Sequence, residues 1–387
     1  MNTGGAQSVT RALETLEHAL HALHADAQCE VFQRSTRRLS IELEQGRVRV
    51  RHGVEEGTSV RLRAADGSVH FGAASGVGES AAREARAAAL AHAGVVARGD
   101  PWAGAGRLLD VEAPAELPER EVLEGWLRDA ADGVRACLDA AVGVEVLGTG
   151  GGLRTCRVRP VFWARQLEGT RVRSAVSRSL EHLDPADWEE PERVPPRERW
   201  HLEGDVALLP AAVGALAPAL VAAVPVGAAA GPGWACVDDP QDPYAPGGGA
   251  FDDTGFPAER LRLADGRRVL AQPRGPGRRR RHSFREPPAE RAASLEFLPL
   301  GVWSGHGLLA RGARIHTVGS EWWVVLDAAP AEKGHPVGPW EPHLVRAHPE
   351  KWVSGCEAVV PPVRRTPEGV LSGTLVFGAF HLRHVPL

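Results

Sequence analysis

Three groups of residues have types and spacings that could do chemistry. The first is acidic: Asp238, Asp239, Asp252 and Asp253 fall within 16 residues, interleaved with Pro240 and Gly247–Gly249. Clustered carboxylates can bind a hard cation. The EF-hand spacing is absent, however, and aspartates among Pro and Gly more often build turns. The second group is basic: Arg278–Arg281, then His282, Ser283, Phe284 and Arg285. Guanidinium forks with an aromatic neighbour suit RNA, a phosphate or a peptide carboxylate. Gly275, Pro276, Gly277, Pro287 and Pro288 place this group on a loop, and a solvated loop paired with acids is the competing reading. The third group is His335, His343, His348 and Cys356, spaced by 8, 5 and 8. These are zinc-ligand types, and an open three-ligand site can activate water. Pro336, Pro342 and Pro349 cut the segment into loop, so convergence there would be accidental.

Absences narrow the chemistry further. None of the 16 histidines is followed by glutamate, which excludes an HExxH or HExxxH helix. Neither lysine, Lys333 nor Lys351, precedes Ser or Thr, so there is no P-loop, and GxSxG is missing too. With 45 basic against 49 acidic side chains the net charge is −4, no global case for a polyanion partner. Two lysines, one asparagine (Asn2), one tyrosine (Tyr244) and two isoleucines (Ile41, Ile315) mark a GC-rich, bacterial genome. Arginine abundance is therefore weak evidence for nucleic acid. Five scattered cysteines without a CxxC pair, no apolar run of 18, and no secretory pattern in Met1–Gln7 predict a cytoplasmic protein.

These residues must be positioned by elements with readable periods. Leu13, Leu16, Leu20 and Leu23 recur at helical spacing in Ser8–Ala25, with His18, His21 and His24 read as a solvated face. Cys29–Ser75 alternates, turns at Gly46 and Asp66–Gly67, and predicts an antiparallel meander. Gly78–Ala93 and Glu119–Ala141 read as helices, and Val142–Leu180 as strand. Val206–Leu209 predicts a strand followed by a kinked, buried helix through Pro210 and Pro218. Leu295–Leu387 reads mostly as strand. The fold class expected is α+β: an N-terminal α/β layer of meander plus helices, and a C-terminal, mostly antiparallel β domain. The proline-rich, acidic stretch Asp184–Arg199 predicts a boundary, giving domains 1–199 and 200–387.

Several stretches in order resemble the TldD/TldE (PmbA, modulator of DNA gyrase) metallopeptidases. They are Cys29–Phe32 with Ile41–Val48, Glu56–Arg61, Asp66–Gly67 and Phe71–Ser75, then the helix Glu79–Ala93. In the second half they are Val237–Pro240, Ala250–Pro257, Arg260–Arg267, and Arg280–Arg285 with Pro287 and Arg291. TldD-type subunits carry an HExxxH helix just before the Asp-Asp segment, completed by a C-terminal cysteine. The matching stretch here, Leu209–Leu220, has neither His nor Glu, and Cys356 alone cannot rebuild a site.

The resemblance therefore implies a non-catalytic, TldE-like subunit with no metal of its own. It would pair with a TldD-like, zinc-bearing partner to cleave unstructured peptides or leader peptides in modified-peptide biosynthesis. It also implies that Arg280, Arg281, His282 and Arg285 lie on the chamber wall and bind substrate. Two alternatives stand beside it: a stand-alone peptide-binding scaffold, and an independent metalloenzyme using His335, His343, His348 and Cys356. Neither a nucleic-acid nor a membrane partner is expected.

Overall fold

Alternation of apolar and polar residues over Cys29–Ser75 builds the meander it predicts. The computed structural model describes residues 3–25, 28–91, 97–98, 103–111, 116–131, 133–168, 171–183, 205–242, 245, 247–281, 283–318, 320–366, 370–378 and 382–384. The chain divides into two compact units. Unit 1 comprises Met1–Pro185, Gly249–Glu259 and Gly275–Glu290; unit 2 comprises Ala186–Gly248, Arg260–Arg274 and Arg291–Leu387. Two pieces beyond position 200 thus belong with the N-terminal sheet. The stretch Asp184–Arg199 lies outside the described residues.

Unit 1 runs α1 (Thr3–Ala22), β1 (Cys29–Glu44), β2 (Arg47–Arg63), β3 (Ser68–Ser75), α2 (Glu79–Ala91), β4 (Ala97–Arg98), β5 (Gly106–Asp110), α3 (Arg120–Ala131), β6 (Arg135–Thr149), β7 (Leu153–Glu168) and β8 (Arg171–Ser177). Its sheet has the order β4-β3-β2-β1-β6-β7-β5, with β8 beside β7. Among the described residues of this sheet, only the β5–β7 pair is parallel. One face is apolar: Val31, Val60, Val146 and Cys156 pack with Leu16 and Leu20 of α1 and Ala82 and Ala85 of α2. Gly72 on β3 permits the close approach of α2, since a Cβ there would meet Ala85 O at 2.1 Å. His18, His21 and His24 are exposed, as a solvated face requires.

The helix expected over Glu119–Ala141 splits. It stops at Ala131, Gly133 takes φ 80°, and β6 begins at Arg135. Strand wins because Ala136, Leu138, Ala140 and Val142 alternate and are buried, with Leu138 opposite Ile41 of β1.

The second half runs β9 (Asp205–Leu208), α4 (Pro210–Ala223), β10 (Ala235–Asp238), β11 (Leu261–Asp265), β12 (Arg279–Arg280), β13 (Ala289–Glu290), β14 (Leu295–Phe297), β15 (Gly307–Val318), β16 (Glu321–Glu332), β17 (His335–Pro336), β18 (Glu341–Ala347), α5 (Pro349–Ser354), β19 (Cys356–Arg365), β20 (Val370–Phe377) and β21 (Leu382–His384). The short ladder β12–β13 belongs to unit 1. The rest form an 11-stranded sheet, β11-β10-β14-β20-β9-β15-β16-β18-β21, with β17 on β16 and β19 on β20. Its pairs are antiparallel except β14–β20 and β9–β15. The α+β expectation thus holds for both sheets.

Helix α4 begins with Pro at its first turn, contains Pro218, and has no charged residue. Its Val213, Leu216, Leu220 and Val221 join Trp234, Phe297 and Trp352 in the largest apolar cluster. Pro336 and Pro342 sit within strands β17 and β18 rather than breaking that segment into loop.

Candidate functional site

The second face of the unit 1 sheet carries charge. Side chains two residues apart share a face, so the register of β2, β1, β6 and β7 stacks polar rows. Arg61 and Glu30 lie opposite one another, as do Arg34, Glu145 and Arg157 across three strands, and Thr36, Gly143 and Arg159 in the next row. Residues 249–259 and 275–290 cover part of this face. Phe284 closes on Phe32, Leu147 and Leu153. Gly57 makes room for its ring, because a Cβ there would lie 2.2 Å from Phe284 ring atoms.

Two ion networks result. In one, Arg61 Nε donates to Glu30 Oε1 at 2.8 Å, and Arg281 donates from Nη2 to Glu30 at 2.9 Å and from Nη1 to Ser59 Oγ at 2.7 Å. Arg281 also lies over the Phe32 ring, 4.4 Å from its centroid. Burial lowers the Arg281 guanidinium's proton affinity, with Glu30 opposing. In the other, Arg157 pairs with Glu145 at 2.7 Å and with Asp253, and donates to Phe251 O at 3.0 Å. Arg159 Nη2 reaches Asp253 Oδ1 at 3.3 Å. Burial alone would raise the carboxyls of Asp253 and Glu145, yet the surrounding guanidiniums hold both below the usual range. Burial and the neighbouring Arg157 lower Arg159 to about 10.

The basic segment is therefore mostly interior. Arg278, Arg280 and Arg281 are buried, and Arg280 Nη1 donates to Phe251 O at 3.3 Å. Arg279 lies 3.9 Å from Glu290. Arg285 is exposed, 4.7 Å over Phe284 and 3.9 Å from Glu55. His282 lies outside the described residues.

The acidic group works as turn and anchor. Asp252 Oδ1 accepts from Thr254 N at 2.8 Å and Phe256 N at 3.1 Å. Asp238 accepts from Ala293 N and Ser294 N at 2.9 and 3.0 Å, and Asp239 accepts from Gln241 N at 3.1 Å. These carboxylates accept from backbone amides, and Asp239 also pairs with Arg260 at 3.4 Å and Asp252 with the Thr254 hydroxyl at 2.8 Å.

The metalloenzyme alternative is not supported by placement. His335 is exposed on β17, His343 is buried on β18, and His348 precedes α5 with Nδ1 3.0 Å from Ser320 O. Cys356 sits in the apolar cluster, where burial pushes its thiol well up. Among the described residues no group of three or more His, Cys, Asp or Glu could hold a metal ion. Zinc does not fit α4 either, since Ala, Val, Leu, Pro and Gly offer no ligand.

Glu145, Arg157, Arg159 and Arg34 had no sequence signature. Arg157 and Arg159, like Arg34 and Thr36, alternate along their own strands, and the pairing of β1, β6 and β7 brings them together. Cross-strand register was the missing signal.

A two-unit α+β chain with a helix-backed antiparallel sheet and a large mixed sheet is the class this architecture defines. Solved structures share it over nearly their whole length. TldE from Thermococcus kodakarensis matches with TM-score 0.68 at 13% identity, covering 96% of this chain and 99% of that one. A protein titled as a modulator of DNA gyrase from Thermotoga maritima gives 0.66 at 12% over 96% and 99%, and another from Bacteroides thetaiotaomicron gives 0.68 at 14% over 98% and 99%. The chain has the fold of TldE and the gyrase-modulator proteins. No family model and no curated protein matches it.

Proposed function

We propose that this chain is the metal-free, TldE-like half of a two-subunit peptidase, in which a TldD-like partner supplies zinc and the cleaving residues. One combined observation carries this reading. The fold follows TldE from end to end, while α4, at the place where the resemblance puts an HExxxH helix, has no side chain able to ligate or to act as a base. Such a chain contributes surface, not chemistry. Its role is to complete a chamber and to offer sheet edges to an extended peptide by strand addition. Peptides, including leader peptides of modified products, are the substrate class, and within the basic segment the exposed Arg285 is the side chain open to them, Arg280 and Arg281 being buried. The five free cysteines suit a reducing cytoplasm.

The test is reconstitution. A TldD-like chain and this chain are purified separately, then assayed alone and mixed on an unstructured peptide. Cleavage only in the mixture is expected. Equal cleavage by the partner alone refutes the proposal.

A further inference from the structure

Strand β2 is paired on both sides for only part of its length. β1 follows it without a bulge from Arg47, opposite Glu44, to Leu62, opposite Cys29, whereas β3 pairs only with Gly57–Arg63. Just beyond that shorter ladder, Gly76 N donates to Glu56 O at 2.9 Å, so the Glu56 carbonyl points away from β1. Outward backbone groups recur at every second residue of an antiparallel strand. Val54, His52, Val50 and Val48 therefore also turn their N–H and C=O away from β1. Among the described residues no backbone bond reaches these four from that side.

The side chains along this edge form two rows. On one face Val48 and Val50 stand opposite the buried Leu43 and Ile41 but are only half-buried themselves, and Val54 is 68% exposed. On the other face Arg47, Arg49 and Arg51 are exposed. Glu44 and Glu42, opposite the first two, are both engaged by Arg135, which donates from Nε to Glu42 at 3.0 Å and lies 3.5 Å from Glu44. Glu42 also feels the charges of Arg49 and Arg51. Among the described residues, however, none of Arg47, Arg49 and Arg51 forms an ion pair. Four guanidiniums thus share two carboxylates at this end of the sheet. The next acid along, Asp139, is held by Arg165 and Ser40.

We propose that the β2 edge from Val48 to Val54 takes an extended acidic peptide as an added strand. Arginines two residues apart stand about 6.8 Å apart along a strand, which is also the period of alternate side chains in an extended peptide. Acids at every second peptide position then lie beside the guanidiniums, and opposite charges side by side stabilise a ladder. The apolar residues between them continue the valine row. A second copy of this chain fits the edge poorly. Antiparallel pairing of two β2 edges about a two-fold axis normal to the sheet sets one arginine row beside the other, and like charges so placed repel. Binding stands on this edge alone; only the peptide's role as substrate rests on the function proposed above.

The experiment is fluorescence anisotropy with the full single chain at fixed ionic strength. Three nine-residue peptides carry the same dye: one alternating glutamate with valine, its glutamine counterpart, and the glutamate peptide N-methylated at its three central amides. The glutamate peptide should bind at least tenfold tighter than either of the others, because one control lacks the charge and the other lacks the ladder. Val50→Pro removes one outward N–H and no bond to β1, and should weaken binding at least tenfold. The double change Arg49→Gln with Arg51→Gln should do the same, and Arg83→Gln on α2 should leave binding unchanged. Val54→Pro carries the same test should Val50→Pro fail to fold. Equal binding of the methylated peptide, indifference to the proline variants, or no saturable binding of the glutamate peptide overturns the proposal. So does a dimer of this chain in sedimentation that Val50→Pro dissolves, since the edge is then taken by a second copy. No partner subunit enters the titration, so a negative result leaves the two-subunit reading standing, and a failed reconstitution leaves peptide binding standing.

Discussion

Glu145 lies among three guanidiniums, Arg34, Arg157 and Arg159, and Asp253 shares two of them. Removing one partner from a buried pair costs far more than an exposed pair ever contributes, because the survivor stays charged and dehydrated. Asp253→Asn should therefore destabilise the protein by ~3–5 kcal/mol in urea unfolding. The sign of the pH dependence follows from the lowered carboxyls. Asp253 and Glu145 are held below their unfolded values, so their contribution is complete above pH ~4 and drains as pH falls through the folded values. The urea midpoint should drop on acidification from pH 5 to pH 3, less steeply in Asp253→Asn. Thiols behave oppositely: burial pushes Cys156 and Cys236 up to about 12. Alkylation of native protein at pH 8 should leave both unmodified, and rapid labelling of either would contradict this burial.

Among the elements, the sharpest fit is Phe284 over Gly57. The ring occupies the space a β-carbon would need, so Gly57→Ala must expel it. Phe284→Ala, which empties the cluster with Phe32, Leu147 and Leu153, should cost ~3–5 kcal/mol. Urea unfolding checks both, and a Gly57→Ala protein as stable as the parent would mean that the ring does not sit there. The periods of α1, α2, β1–β3 and α4 were legible because each is set by local alternation or helical spacing. The split of Glu119–Ala141 was not, since an alanine-rich strand such as β6 reads as helix until its partner strands are known. The Arg278–Arg281 run was legible as basic, but its burial was not. Burial depends on Glu30 and Asp253, which lie 251 and 28 residues away from Arg281.

For the whole molecule, two features have to be joined: a fold shared with TldE over 96% of the chain, and a central helix with no ligand. A lone metalloenzyme would need His335, His343, His348 and Cys356 together, and they lie on separate elements, exposed, buried, exposed and buried. A subunit that shapes a chamber needs none of them. The most direct measurement is zinc content, taken on this chain alone and on its complex with a TldD-like partner, alongside peptide cleavage. The account predicts less than stoichiometric zinc in the single chain, one zinc per complex, and cleavage that a chelator abolishes. Stoichiometric zinc in the single chain, with cleavage in the partner's absence, would contradict it.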